Sequence, residues 1–363
     1  MITGNTMKNL KIKTSLLSLA LVLPTFASYA NAEPSKEVLQ EQLSKIQKRL
    51  DQLEGSNASS AGSSDTSINF YGTLRPTFGL TSSDSSDSWD VGDALSRIGI
   101  AAEHKLTNGL TGFAKGEFKV HIESTGNFGD ARKAYVGIKG DFGRVAIGKQ
   151  DTTQYAIIAD PVDIFNRAST PLAYDDASPF RQQEMVSYRK SFGNVDFRVE
   201  AQFKGDSANE GSDLVNGGVK YNGKDFTLAA AYLTKDLAGT DQNTFGVSAS
   251  KSLGDWYVAA AYQDIDNGGN DLDVTTLDLV GAYKINETYK VKMGYSVFSD
   301  DLVAADSKEI TRINGTVEWH GSPDFYLFAE VQNNSYEDEN ATAGREDSNQ
   351  FIVGMRYNFD YKF

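Results

Sequence analysis

From residue 68 to the last residue, apolar and polar side chains alternate with a period of two. In 68–78 the apolar set is Ile68, Phe70, Leu74 and Phe78, with Asn69, Thr73, Arg75 and Thr77 between them. In 195–204, Val195, Phe197, Val199, Ala201 and Phe203 alternate with Asp196, Arg198, Glu200, Gln202 and Lys204. In 289–297, Tyr289, Val291, Met293, Tyr295 and Val297 alternate with Lys290, Lys292, Gly294 and Ser296. Successive side chains on a strand point to opposite faces, so each segment predicts a strand with one apolar and one polar face. Sixteen such segments begin near residues 68, 94, 110, 131, 143, 181, 195, 213, 224, 242, 255, 273, 287, 308, 324 and 347.

The connections alternate in length. One series is tight: TNG at 107–109, GDFG at 140–143, FGN at 192–194, YNGKD at 221–225, LGD at 253–255, INE at 285–287 and GSPD at 321–324. The other is long and acidic, including 82–93, 264–273, 299–309 and 333–348. Short turns at one end, long loops at the other and an even strand count predict an antiparallel transmembrane β-barrel of sixteen strands. A soluble sandwich also alternates, so the apolar face decides between them. There, aromatic residues recur at segment ends: Trp256 and Tyr262 bracket Val258 and Ala260, and Tyr357, Phe359, Tyr361 and Phe363 finish the chain. Such girdles suit the interface of a bilayer. Closure is also required, because an open sheet edge in hydrocarbon leaves backbone donors and acceptors unpaired.

One connection breaks the series. Residues 152–180 carry Asp160, Asp163, Asp175 and Asp176 together with Pro161, Pro171 and Pro179. A loop of that length is usually functional or disordered, and its prolines and aromatics favour a segment folded against something. The expectation is that it folds into the barrel lumen and narrows it.

Upstream of residue 68 the period changes. Residues 33–54 predict a short coiled-coil helix with Leu39, Leu43, Ile46, Leu50 and Leu53 on one heptad seam. A lone helix of this length is marginal, so it forms more readily where something else gathers the copies. Residues 55–67 have the polar, low-complexity composition of a flexible linker. Residues 1–32 read as a secretory signal peptide: Lys8, Lys11 and Lys13 precede an apolar run, and Ala30-Asn31-Ala32 supplies small residues for cleavage. Met7 is an alternative start.

Composition adds three constraints. The formal charge of −14 becomes −17 once residues 1–32, with three lysines and no acid, are removed. An acidic chain does not track nucleic acid by electrostatics. With no cysteine, stability rests on the hydrogen-bonded sheet and packing rather than on disulfides.

These segments together resemble the trimeric general-diffusion porins of Gram-negative outer membranes. FYGTLRP at 70–76 resembles that family's opening strand, SRIGIAAEHKLTNGLTGFAKGEF its second and third strands, and RKAYVGIKGDFGRVAIGKQ its fourth and fifth. The long loop, FRQQEMVSY and a terminal aromatic strand follow in order. The resemblance covers residues 68–363, and the heptad helix is a departure from the best-known members. It implies a homotrimer in the outer membrane, in contact with lipopolysaccharide, that passes small hydrophilic solutes and ions. The helix would stabilise the trimer or reach toward peptidoglycan. It also implies arginines on the wall facing acids on the third loop. Arg97, Arg132 and Arg181 match by position, and Arg75 is a further inward candidate. Asp160 and Asp163 are the first acidic candidates, with Asp175 and Asp176 second. Tyr357, Phe359, Tyr361 and Phe363 resemble the assembly signal. The net charge suggests a modest cation preference. Alternatives are a channel specific for a sugar or phosphate, and a surface receptor or adhesin on a barrel scaffold.

Enzyme and metal chemistry are poorly supported, and no cofactor is expected. His104, His121 and His320 lie on three different segments without companion ligands at metal spacing. The acidic run 264–273 lacks the Glu that a calcium loop needs at its twelfth position, where Thr275 stands. No nucleophile with a positioned base stands out.

Overall fold

In the computed structural model the described residues are Lys48, 65–168, 179–205, 211–236, 240–266, 268, 273–300, 308–338 and 346–363. The signal-peptide, heptad-helix and linker expectations, and the candidates Leu39, Leu43, Ile46, Leu50, Leu53, Asp175 and Asp176, lie outside them.

The described residues form one antiparallel sheet closed on itself. Its sixteen strands are β1 (Thr66–Leu74, continuing as Pro76–Ser83), β2 (Asp87–Asp93, continuing as Arg97–Lys105), β3 (Thr111–Val120), β4 (Phe128–Gly140), β5 (Gly143–Asp151), β6 (Arg181–Phe192), β7 (Val195–Gln202) and β8 (Leu214–Asn222). They continue with β9 (Phe226–Asp236), β10 (Asp241–Leu253), β11 (Trp256–Asp266), β12 (Asp273–Lys284), β13 (Tyr289–Asp300), β14 (Lys308–His320), β15 (Phe325–Asp338) and β16 (Ser348–Lys362). Each strand pairs with its neighbours in sequence, and β16 closes on β1 from Ser348↔Ser83 to Asn69↔Lys362. The last rung is a reciprocal pair of main-chain bonds between Ile68 and Phe363, at 2.8 and 3.1 Å.

The faces are inverted relative to a soluble protein. Outward positions such as Ile100, Val136, Ile147, Leu228, Met293 and Val331 are exposed and apolar, whereas inward ones such as Glu200, Gln263, Glu318 and Glu330 are polar and buried. Hydrocarbon outside and polar contacts inside account for both. Trp256 stacks on Tyr283 at 4.4 Å, and Tyr357, Phe359 and Tyr361 form a contiguous row at 6.3 and 6.4 Å between ring centroids.

The second strand differs from expectation. It begins at Asp87 rather than near residue 94, so with the end of β1 nine of the twelve residues of the acidic stretch 82–93 are strand. The reason is a bulge. Thr73 pairs with Arg97 but Pro76 pairs with Asp93, which leaves one extra residue among 94–96. Leu95 takes φ +69° there. The bulge flips side-chain parity: Trp89 and Val91 face outward before it, Ile98 and Ile100 after it.

Candidate functional site

The third loop leaves β5 at Thr152 and folds into the lumen, where it is bonded to the wall along its described length. Its two ends are tied by Thr152 Oγ1 donating to the Pro179 carbonyl at 2.6 Å. A short helix, Gln154–Ala159, runs across β8 to β11. Glu200 accepts from the Thr153 main-chain N–H and hydroxyl, Asn216 from Gln154 N–H at 2.7 Å, and Gln263 from the Gln154 amide at 2.8 Å. Further on, Ser248, Tyr257 and Lys292 donate to the carbonyls of Ile157, Pro161 and Ile164 at 2.6, 2.7 and 2.5 Å.

The wall beneath the loop is built from small residues. Ile157, Ile158, Val162, Phe165 and Ala168 pack on Ala229, Ala231, Ala259, Ala261 and Val280. A Cβ on Gly246 would lie 2.3 Å from the Gln154 amide nitrogen, and one on Gly218 2.8 Å from Ile157 Cδ1. The alanines and glycines of β8 to β11, with Val280 of β12, therefore make the bed on which the loop lies.

At its far end the loop meets Glu330 of β15, which is fully buried. This carboxylate accepts the main-chain N–H groups of Asn166, Arg167 and Ala168 at 2.8, 2.7 and 2.8 Å, and the Thr316 hydroxyl at 2.9 Å. Burial without such donors would be costly; with them the carboxylate fixes three consecutive residues. Beside it Lys292 pairs with Glu318 at 2.5 Å, and Tyr326 donates to Asn166 at 2.8 Å.

What the loop leaves open is a cavity of 310 Å³. Arg75, Arg97, Arg132, Lys133, Arg181 and Arg356 line it from the wall together with Glu117 and Asp151, and Tyr155, Asp160, Asp163 and Phe165 line it from the loop. Arg132 Nε stands 2.9 Å and Arg97 Nε 4.0 Å from Glu117, and Arg181 Nε 2.9 Å from Asp151. Arg75 is fixed by neutral oxygens, Thr73 Oγ1 at 3.1 Å and the Ala94 carbonyl at 3.3 Å, while its N–H donates to Ser96 Oγ at 2.7 Å across the β2 bulge. Arg356 donates to the hydroxyl of Tyr326 at 3.0 Å and to Asn358 at 2.9 Å. On the loop, Tyr155 donates to Asp163 at 3.1 Å.

The structure thus brings six of the eight expected constriction residues, Arg75, Arg97, Arg132, Arg181, Asp160 and Asp163, to one cavity. It differs in how the charges meet. Arg97 and Arg132 meet the wall carboxylate Glu117, and Arg181 meets the wall carboxylate Asp151. Parity makes Arg97 point inward only because of the 94–96 bulge. A second bulge, between Glu117↔Lys133 and Phe118↔Ala131, inserts Arg132 and turns both Arg132 and Lys133 into the lumen. Glu117 and Arg356 were legible by alternation, since Phe118 and Met355 on either side face outward. Lys133 was legible too, alternating with the outward Ala134, Val136 and Ile138, whereas the inward side of Arg132 depends on the bulge.

Residues 18–362 match the sequence profile described as Gram-negative porin. The chain belongs to the Gram-negative porin family. As a porin it is an integral, multi-pass protein of the outer membrane. It is 30% identical over 302 residues to a protein named monosaccharide porin from a Halomonas species, covering 74% of this chain and 75% of that one. It is 26% identical over 343 residues to outer membrane protein U of Vibrio parahaemolyticus, covering 84% and 95%. Among solved structures, a loop-deletion variant of OmpT from Vibrio cholerae superposes with a TM-score of 0.67 at 21% identity, over 81% of this porin and 100% of that chain. The anion-selective porin of Comamonas acidovorans gives 0.66 at 16% identity over the same shares.

Proposed function

We propose that this porin forms a water-filled channel for passive diffusion of small hydrophilic solutes and ions, with the third loop and the wall opposite it as the selective gap. The observation that carries this is the 310 Å³ cavity between cationic wall and acidic loop. Sixteen strands leave an aqueous lumen, and whatever narrows it sets size and charge preference. Opposed charges set up a transverse field in which water and polar solutes orient. An apolar solute displaces that oriented water without replacing its interactions.

Charge preference has two sources of opposite sign. Six cationic groups against four carboxylates line the cavity, whereas the chain as a whole is at −14. The cation preference expected from the net charge is therefore a property of the mouths, opposed at the gap. Arg75, Arg97, Arg132 and Arg181 act as the basic side of the constriction and Asp160 and Asp163 as the acidic side, with Asp175 and Asp176 candidates for the same role.

The functional unit is a homotrimer, a reading supported by a Vibrio cholerae OmpT structure described as a trimer form. The aromatic terminal strand serves as assembly signal and lipopolysaccharide surrounds the barrel. The heptad helix joins the copies or reaches peptidoglycan. A second reading, a sugar-specific channel, draws on the monosaccharide porin relative and on the rings of Tyr155, Phe165 and Phe180 around the gap. Swelling of proteoliposomes in neutral sugars separates the two: rates linear in concentration and graded by size support diffusion, and saturation by one sugar supports the specific channel. No swelling at all overturns both.

A further inference from the structure

Arg167 follows Asn166 on the third loop and is held from two directions. Its main-chain N–H donates to Glu330 of β15. Its guanidinium runs the other way, past β16, to β1 and β2: Nη1 lies 3.0 Å from Thr77 Oγ1 and 3.1 Å from Asp90 Oδ1, and Nη2 donates to Asp90 Oδ2. Two parallel N–H···O bonds to one carboxylate fix direction as well as distance.

The wall is shaped to receive this side chain. A Cβ on Gly92 would stand 2.6 Å from Arg167 Cζ and Nη1, and one on Gly79 3.2 Å from Nη1. Both glycines sit on the strands that supply Asp90 and Thr77. The pair keeps contact with water, with side-chain exposures of 26% for Arg167 and 44% for Asp90. A pair so placed contributes little to folding of the barrel, and its geometric effect falls on the loop.

We infer that Arg167 is a positioning residue that seats the loop tip against β1 and β2 and thereby sets the size limit of the channel. The inference rests on the diffusion reading above. Glu330 holds the main chain of the tip at β15; Arg167 stops it from turning about that point. A lysine would keep the charge but lose the fork.

The test compares native protein with Arg167→Ala, Arg167→Lys, Asp90→Asn and Gly92→Ala in proteoliposomes. The readouts are the ratio of disaccharide to pentose uptake, with neutral sugars so that charge is not read, and open-channel current noise. Thermal unfolding of each barrel is followed in parallel. Losing the charge-assisted pair raises the unseated population on the order of fivefold after allowance for its exposure. The disaccharide-to-pentose ratio and the noise rise in Arg167→Ala and in Gly92→Ala, with Arg167→Lys between them and native, and unfolding temperatures near native. Gly92→Ala leaves the arginine in place and obstructs only its seat, so it decides the matter should Arg167→Ala fail to fold. Native ratios and noise in both variants overturn the inference. So does a change in Arg167→Ala with none in Gly92→Ala and Asp90→Asn, which would show that the arginine does not act through the seat formed by Gly92 and Asp90. If native protein admits neither sugar, the diffusion reading has failed instead.

Discussion

Glu117 accepts a 2.9 Å hydrogen bond from Arg132 Nε across the β3–β4 ladder, so the guanidinium that the family resemblance set against the acidic loop is held by the wall beside it. Tyr71 donates to the second oxygen of the same carboxylate at 3.0 Å. Replacing Glu117 by Gln keeps the shape and removes one negative charge from the cavity. At the separations across such a gap, one unit charge is worth about 1 kcal/mol to a passing ion. The cation-to-anion permeability ratio of Glu117→Gln is expected to fall about fivefold, read from reversal potentials in a potassium chloride gradient. Arg132→Gln should move it the other way, and an unchanged ratio in both would remove these residues from the permeation path.

Glu330 is the anchor of the loop tip. Without its carboxylate the three main-chain N–H groups from Asn166 to Ala168 remain buried and unmet, each costing about 1–3 kcal/mol. Glu330→Ala is expected to lose hydrogen-exchange protection at those three amides while the amides of β13 to β16 keep theirs. Equal loss throughout these strands would show that Glu330 supports the wall rather than the loop.

The barrel itself was legible because a bilayer imposes one rule on every strand. Alternation gave the number of strands, the inward side of Arg75 and, from Ile98 and Ile100, that of Arg97, and the length of 152–180 marked the inserted loop; a bulge at 183–184 separates Arg181 from the alternation of Val186 and Tyr188. Two things could not be read that way. Bulges at 94–96 and at Arg132 shift parity by one residue, and nothing local distinguishes the extra residue from its neighbours until the cross-strand partner is known. The loop's bed was hidden for a different reason. Ala229, Ala231, Ala259, Ala261, Gly218 and Gly246 look like weak strand positions, and they make sense only once the loop that lies on them is in place.

That bed carries its own expectation. Gly246 sits under the loop helix, where a β-branched side chain meets Gln154 and Ile158. Overpacking of this kind costs about 1–3 kcal/mol, and the helix can relieve it only by moving toward the lumen. Gly246→Val is expected to lower single-channel conductance as well as thermal stability. A destabilised barrel of native conductance would mean that the wall, not the helix, gives way.

Salt separates the two sources of charge preference. The mouths act on ions through open water, where screening lengths are about 10 Å at 0.1 M and 3 Å at 1 M ionic strength. The cavity groups act at contact distance within 310 Å³ and are screened far less. At low salt the acidic chain should favour cations; as salt rises that contribution fades first, and the six cationic groups against four carboxylates at the gap are left to decide. The cation-to-anion ratio is therefore expected to fall steadily from 0.05 M to 1 M on the order expected from screening, with Glu117→Gln lying below native at every concentration. A ratio that does not depend on salt would place the whole preference at the gap, and chloride preference at low salt would contradict any role for the acidic mouths.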